Sequence, residues 1–309
     1  MAMANLRIHL FGKLWIDYNG QVLKGFDSRK VQELFCYLLL NRNREHPREV
    51  LANLLWCENT TAQSKSYLRK ALWQLQYTLE CQTSLSTNCI LLVDSDWIQI
   101  NAKADMWLDV EMFEQAYTPV MGIPGEKLDY HRAQALRSAV ELYRADLLED
   151  CYQNWCLYER QRFQHMYLSM LDKLMGYSEV NREYEAGLSH GMQILHYDRA
   201  HEATYRRLMR LFYLAGDRTG ALRQFERCVT ALKEELGVPP TEYTTALYEQ
   251  IRTNQLIELS PGTTTPAEDT SLPEVLGRLR QLQVFLTGIQ HQVQQDIQVI
   301  ERAIHKQPS

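Results

Sequence analysis

Ser64-Lys65-Ser66-Tyr67-Leu68-Arg69-Lys70-Ala71-Leu72-Trp73-Gln74-Leu75-Gln76-Tyr77-Thr78-Leu79-Glu80 is the stretch that decides how this chain is read. Leu68, Leu72, Leu75 and Leu79 recur at helical spacing with Ala71 beside them, so one side of a helix is made for a core. The opposite side collects Lys65, Ser66, Arg69, Lys70, Trp73, Gln74 and Tyr77, with no carboxylate before Glu80. That set suits duplex DNA, because Lys and Arg neutralise phosphates or read guanine edges and Gln pairs with adenine. The same pattern also fits an ordinary amphipathic helix with a solvated side, and Trp73 and Tyr77 fit either a groove contact or the core. The surroundings have to decide.

Upstream, Leu6, Ile8 and Leu10 alternate with Arg7 and His9, and Leu14 and Ile16 alternate with Trp15 and Asp17, the period of half-buried strands. Gly12 marks a turn or bulge between them. Asn19-Gly20 predicts a type I′ hairpin turn, in which both central residues need positive φ, and Gln21 to Lys24 a short returning strand. Ser28 reads as an N-cap, and Val31, Leu34, Phe35, Leu38 and Leu39 as one helical face closed by Arg42 and Arg44 at its negative dipole end. Pro47 reads as a first-turn proline of a second helix carrying Val50, Leu51, Leu54, Leu55 and Trp56. Downstream, Thr83 to Asn88 is polar and turn-like. Ile90-Leu91-Leu92-Val93, Asp94-Ser95-Asp96 and Trp97-Ile98-Gln99-Ile100 then predict a hairpin. Sheet, three helices and hairpin is the order of a winged helix, in which the third helix enters the major groove and the hairpin rests on the backbone.

Composition is compatible with that reading. The 309 residues suffice for two domains of ordinary size, and the formal charge of −5 divides unevenly. Residues 1 to 101 hold eleven Lys and Arg against nine Asp and Glu, a balance of +2, leaving 22 against 29, or −7, for the rest. A local basic face matters more to a polyanion than the total. Seven cysteines without a C-x-x-C pair argue against structural zinc and a disulfide framework and for a reducing compartment. With no signal peptide and no apolar run of membrane-spanning length, the expectation is a soluble cytoplasmic protein with no membrane partner.

Several motifs in order then resemble a known family. Leu6-Arg7-Ile8-His9-Leu10-Phe11-Gly12, Arg29-Lys30 before Val31-Gln32-Glu33-Leu34, Arg48-Glu49-Val50-Leu51-Ala52-Asn53-Leu54-Leu55-Trp56 and Leu68-Arg69-Lys70-Ala71-Leu72-Trp73-Gln74-Leu75 are similar to the DNA-binding half of SARP-type bacterial transcriptional activators. That half resembles the OmpR-type winged helices. The likeness continues at Trp107-Leu108-Asp109-Val110-Glu111-Met112-Phe113-Glu114, where the family's all-helical bacterial transcriptional activator domain opens, and covers roughly residues 5 to 255. It departs at Gln74, Gln76 and Tyr77, positions where family members usually carry arginines. Fewer charges release fewer counterions and soften the salt dependence of binding.

The second half reads as helix from Leu128 to about Thr253. Ala135, Leu136, Val140, Leu142, Tyr143 and Leu147 form one apolar stripe, and Trp155, Leu157, Tyr158, Phe163, Met166, Leu168, Met170, Leu171 and Leu174 another. Ala203 to Arg218 followed by Ala221-Leu222-Arg223-Gln224-Phe225 resembles a tetratricopeptide repeat, in which small residues let helices approach and Tyr205 and Phe225 fill between pairs. Leu236-Gly237-Val238-Pro239-Pro240 is a helix stop. Residues 258 to 273 have linker composition. Leu272, Val275, Leu279, Leu282, Leu286, Ile289, Val293 and Ile300 then follow a heptad broken by Asp296, which predicts either a self-associating coiled coil or a helix docking back in cis.

No phosphate-binding loop, zinc-protease helix, nucleophile elbow or metal-spaced Cys and His cluster is present, so neither an enzyme nor a cofactor is expected. His196 and His201 read as surface or local hydrogen-bonding residues. The expected fold is mainly α with a small β component: a winged-helix DNA-binding domain over 1–103, a tetratricopeptide-like helical domain over 104–257, a linker over 258–271 and a coiled-coil helix over 272–306. The resemblance implies a DNA-binding transcription regulator, an activator that binds promoter direct repeats. Its partners would be double-stranded DNA, RNA polymerase and, through residues 272–304, a second copy. Lys65, Ser66, Arg69, Lys70, Trp73, Gln74 and Tyr77 are the groove candidates; Arg29, Lys30, Arg42, Arg44, Arg48 and Ser95 are the backbone candidates. The alternative is a protein-interaction adaptor that uses the helical domain and binds little DNA.

Overall fold

The structure is a computed structural model that describes residues 6–23, 25–26, 28–83 and 90–255, with 81–83 as backbone only. The predicted turn over 84–88, the linker and the heptad helix lie outside the described residues. Chain alternation produces two small sheets. The first has the order β3-β2-β1-β7, from β1 (Leu6–His9), β2 (Trp15–Tyr18), β3 (Gln21–Val22) and β7 (Met106–Leu108). The turn at Asn19 (φ 52°) and Gly20 (φ 83°) lies in the left-handed region expected of it, and Asp17 Oδ1 accepts the Gly20 N–H at 3.1 Å.

Three helices follow, α1 (Arg29–Leu40), α2 (Arg48–Leu55) and α3 (Thr61–Thr83). Ser28 stands at the N-cap of α1, but its hydroxyl makes no capping bond; its carbonyl accepts from Val31 and Gln32 instead. Pro47 does not open α2 from within. It belongs to the two-residue strand β4 (His46–Pro47), which pairs with the hairpin of β5 (Leu91–Val93) and β6 (Trp97–Ile100) in a sheet ordered β4-β6-β5. The expected stripe of α2 also shifts: Leu51, Ala52 and Leu55 are buried, whereas Val50 is exposed. In α3 all four leucines and Ala71 are buried as the spacing requires.

The chain enters β7 just past the expected boundary at 103/104. Strand β7 lies parallel to β1, with Ile8 opposite Leu108, so the start of the second half completes the first sheet. Helix α4 (Asp109–Tyr117) leaves directly from it. Asp109, 1% exposed, accepts the N–H groups of Leu10 (2.8 Å), Phe11 (3.0 Å) and Val110 (2.7 Å). The Phe11 ring packs against Phe113, Tyr143 and Phe163 at 4.9–5.5 Å between centroids. One apolar core therefore runs without a break through Leu6, Phe35, Leu75, Phe113, Phe163 and Leu208. Met1–Leu256 form one compact unit.

The helical half continues with α5 (Tyr130–Leu142), α6 (Asn154–Val180), α7 (Tyr184–Tyr197), α8 (Glu202–Leu214), α9 (Arg218–Glu235) and α10 (Glu242–Arg252). Consecutive members pack as helical hairpins, as the repeat-like pattern predicts. The turn Ala215-Gly216-Asp217 has Gly216 at φ 84°, and Asp217 caps α9 through Oδ1 to the Gly220 N–H at 2.7 Å. Three expected core positions in the earlier helices face out. Ala133, Leu136 and Ala139 form the buried stripe of α5, leaving Ala135 exposed, and Leu157 and Tyr158 of α6 are also exposed.

Candidate nucleic-acid interface

Helix α3 is held by its leucines and by Ser64 at its base, whose buried hydroxyl donates to the carbonyls of Trp56 (3.0 Å) and Thr60 (3.1 Å). This anchoring leaves the opposite side exposed. Lys65, Ser66, Arg69, Lys70, Trp73 and Tyr77 are all exposed, and Gln74 is half-buried. Trp73 (65% exposed) and Tyr77 (56%) stack on each other at 5.4 Å with an interplanar angle of 16°, so neither is a core residue. Arg69 and Lys70 take no hydrogen-bond or ion-pair partner among the described residues, and Thr61 to Leu79 contains no carboxylate. Lys65 pairs with Glu49 at the start of α2, and the ammonium holds that carboxyl below its usual range. Both groups are exposed, so the pair exchanges readily for another anion.

The backbone candidates divide into two groups. Arg44 donates to Asn41 Oδ1 (3.0 Å) and the Tyr37 hydroxyl (3.3 Å), and Arg48 donates to the Asp94 carbonyl in the hairpin turn (3.1 Å). Neither meets a carboxylate, so both keep their charge. Arg29 and Lys30 instead flank Glu33 at 3.1 and 2.7 Å, and that carboxylate is only 4% exposed. Drawing both cations away would strand a buried charge. Arg42, 12% exposed, lies between Glu114 (2.6 Å) and Glu111 (3.8 Å) of α4 and is a joint residue, not a surface cation. At the hairpin tip, the Ser95 hydroxyl donates to Asp94 Oδ1 at 2.9 Å, a bond that lowers the Asp94 pKa.

Sequence reading missed the residues that fix the platform. Arg160 of α6 donates to the carbonyls of Leu147, Leu148 and Cys151 at 2.6–3.0 Å and so holds the segment that bonds back onto Leu10 and Gly12, just after β1. Tyr67, 44% exposed, extends the aromatic side of α3 beside Trp56. No spacing rule marks either residue. Among the described residues no group of three or more His, Cys, Asp or Glu could hold a metal ion, and no helix is long and apolar enough to cross a membrane.

Comparison with known proteins follows this geometry. Residues 108–252 match the bacterial transcriptional activator domain. The fold is similar to that of Mycobacterium tuberculosis EmbR, solved in complex with a low affinity phosphopeptide, with a TM-score of 0.68 at 17% identity. That likeness covers 82% of this chain and 66% of the EmbR chain, just under two thirds, and concerns the fold alone. Comparison with curated proteins finds no match. A bacterial transcriptional activator domain thus stands behind a winged helix that carries its own N-terminal sheet, the arrangement that the resemblance to SARP-type transcription regulators implies.

Proposed function

We propose that the protein is a sequence-specific transcription activator that lays the exposed side of α3 in the major groove of promoter direct repeats. Its β5–β6 hairpin lies along the neighbouring backbone, and its helical half helps to hold RNA polymerase. The observation that carries this reading is the side of α3 itself: exposed, free of carboxylates, with two unpaired cations and a stacked aromatic pair. Arg69 and Lys70 serve as phosphate or guanine contacts, Gln74 as a base reader, and Trp73 and Tyr77 as surfaces for sugars or thymine methyls. Arg44 and Arg48 are the backbone cations best placed to support them, because no carboxylate neutralises either. The polymerase contact is supported by the activator-domain match, and pairing of two copies through residues 272–304 by the heptad alone.

Fluorescence anisotropy with fragments of the gene's own upstream region, titrated at several salt concentrations, tests the reading. Salt-sensitive binding is expected. Arg69→Ala and Lys70→Ala should each lower the log–log salt slope by about 0.9 if each neutralises one phosphate. Unchanged binding in the double variant would exclude α3 as the contact. Recovery of a stoichiometric protein partner with no DNA affinity would favour the adaptor reading.

A further inference from the structure

The seam between α1 and the start of α6 encloses a cavity of about 340 Å³, toward the lower end of the about 300–1,000 Å³ usual for small-molecule sites. Three segments wall it: Lys13 and Leu14 from the turn after β1, Arg29 and Glu33 from α1, and Leu148 and Trp155 around the start of α6. The walls are set by the fold itself. Leu148 stands at φ 47°, in the left-handed region that branched residues rarely adopt. It is held there because its N–H donates to the Leu10 carbonyl at 2.9 Å and its own carbonyl accepts from Arg160 at 2.6 Å. Trp155 packs edge-on against Tyr37 of α1 at 5.4 Å.

The charges around this cavity are spent on each other. Lys13 pairs with Asp150 at 3.2 Å and Arg29 with Glu33 at 3.1 Å, while Glu33, only 4% exposed, takes a second cation in Lys30 at 2.7 Å. A charged guest would have to break one of these pairs. What stays unspent is a donor. Nε1 of Trp155 is sealed from solvent and meets no acceptor among the described residues. Buried N–H groups are nearly always hydrogen-bonded, so one left open on a residue that lines a cavity marks a place for an acceptor that a guest supplies. Leu14, Leu148 and the buried Cys36 offer the same guest apolar surface.

We propose that the seam cavity is a binding site for a compact uncharged molecule with an apolar body and one carbonyl oxygen, which accepts the hydrogen bond of Trp155 Nε1–H. The carbonyl answers the open donor, the absence of charge follows from the paired ions, and the size follows from the volume. A bound guest touches α1 on one side and the start of α6 on the other, and α1 packs against α3. Occupancy of the cavity is thereby tied to the joint between the winged helix and the helical half.

The test uses the full chain labelled with nitrogen-15 tryptophan, whose six indole N–H groups give six cross-peaks in a proton–nitrogen NMR spectrum. Trp155→Phe removes the peak to be followed, and a nuclear Overhauser contact to the Tyr37 ring assigns it where that variant does not fold. Four probes of one size and shape separate the chemistries: acetophenone carries the carbonyl, cumene lacks the oxygen, benzoate is an anion and benzamidine a cation. Acetophenone should move the Trp155 peak to lower field and saturate, with the other five peaks unmoved. Cumene should give no such shift, and benzoate and benzamidine should bind about tenfold more weakly or worse. Leu14→Phe, which fills the cavity from its wall, should abolish the acetophenone shift. A Trp155 peak that acetophenone leaves in place, a shift shared by all six peaks, equal or tighter binding of either ion, or a shift that survives Leu14→Phe would each overturn the proposal. The wild-type titration decides even where a variant does not fold. None of these readouts involves DNA, so the outcome is independent of the groove reading.

Discussion

Asp109 accepts the backbone N–H of Leu10 across 99 residues of sequence, at 2.8 Å and out of contact with water. One carboxylate therefore closes the end of β1 and opens α4, and the two halves of the chain share a hydrogen-bonded joint as well as a core.

Removing that carboxylate leaves three buried donors without an acceptor. Asp109→Ala should lower the unfolding free energy by about 2 kcal/mol, read from urea denaturation at neutral pH. Asp109→Asn keeps an acceptor oxygen and should cost less. An unchanged alanine variant would show that the joint contributes nothing.

The same residue makes a signed prediction about pH. Burial pushes the Asp109 carboxyl up to about 6, over the lowering effect of its three N–H partners. The folded state therefore binds the proton more tightly than the unfolded chain, whose carboxyl ionises near 3.8. Its contribution to stability is full below the unfolded value, declines as pH rises from about 4 to about 6, and is constant above. The stability of the wild type minus that of Asp109→Asn, measured by denaturation across this range, should fall with rising pH; a flat difference would refute the shift.

Arg42 was a candidate for phosphate, and the structure gives it to Glu114 and Glu111. Arg42→Ala should destabilise the fold and leave the salt slope of DNA binding unchanged, the reverse of Arg69→Ala. A double-mutant cycle with Glu114→Gln should show a coupling of about 1 kcal/mol, since the pair is largely withdrawn from solvent.

Glu49 pairs with Lys65, and in the proposed groove contact it would compete with DNA for that cation. Glu49→Gln removes a carboxylate beside the groove surface and frees one cation, so DNA affinity should rise by up to about fivefold and the salt slope should steepen. Weaker binding in this variant would mean that Lys65 does not face the backbone.

In the helical half, a Cβ at Gly125 would lie 2.2 Å from the Lys173 carbonyl oxygen, an atom of the α6 backbone. Gly125→Ala should cost on the order of 2 kcal/mol in thermal or urea unfolding. Gly176→Ala, whose Cβ would first meet the flexible end of Glu126 at 2.8 Å, should cost less.

Local pattern was enough for the elements. The leucine spacing of α3, the Asn19-Gly20 turn, the hairpin around Asp94-Ser95-Asp96 and the helical hairpins after Tyr184 all follow from periodicity and backbone preference, which act over a few residues. The exposed side of α3 was legible for the same reason, since burying four leucines fixes where Arg69, Lys70 and Trp73 must point. Pairing across long separations was not. Nothing near Arg42 in sequence announces Glu114, nothing near Asp109 announces Leu10, and the parallel pairing of β7 with β1 crosses the place where the family resemblance led us to expect a domain boundary. Sequence by itself determined which faces are apolar and which charges are present. Tertiary structure alone decided which of those charges are spent on each other inside the molecule and which are left for a partner, because an ion pair depends on distance in space and on exclusion of water, neither of which is written in residue order.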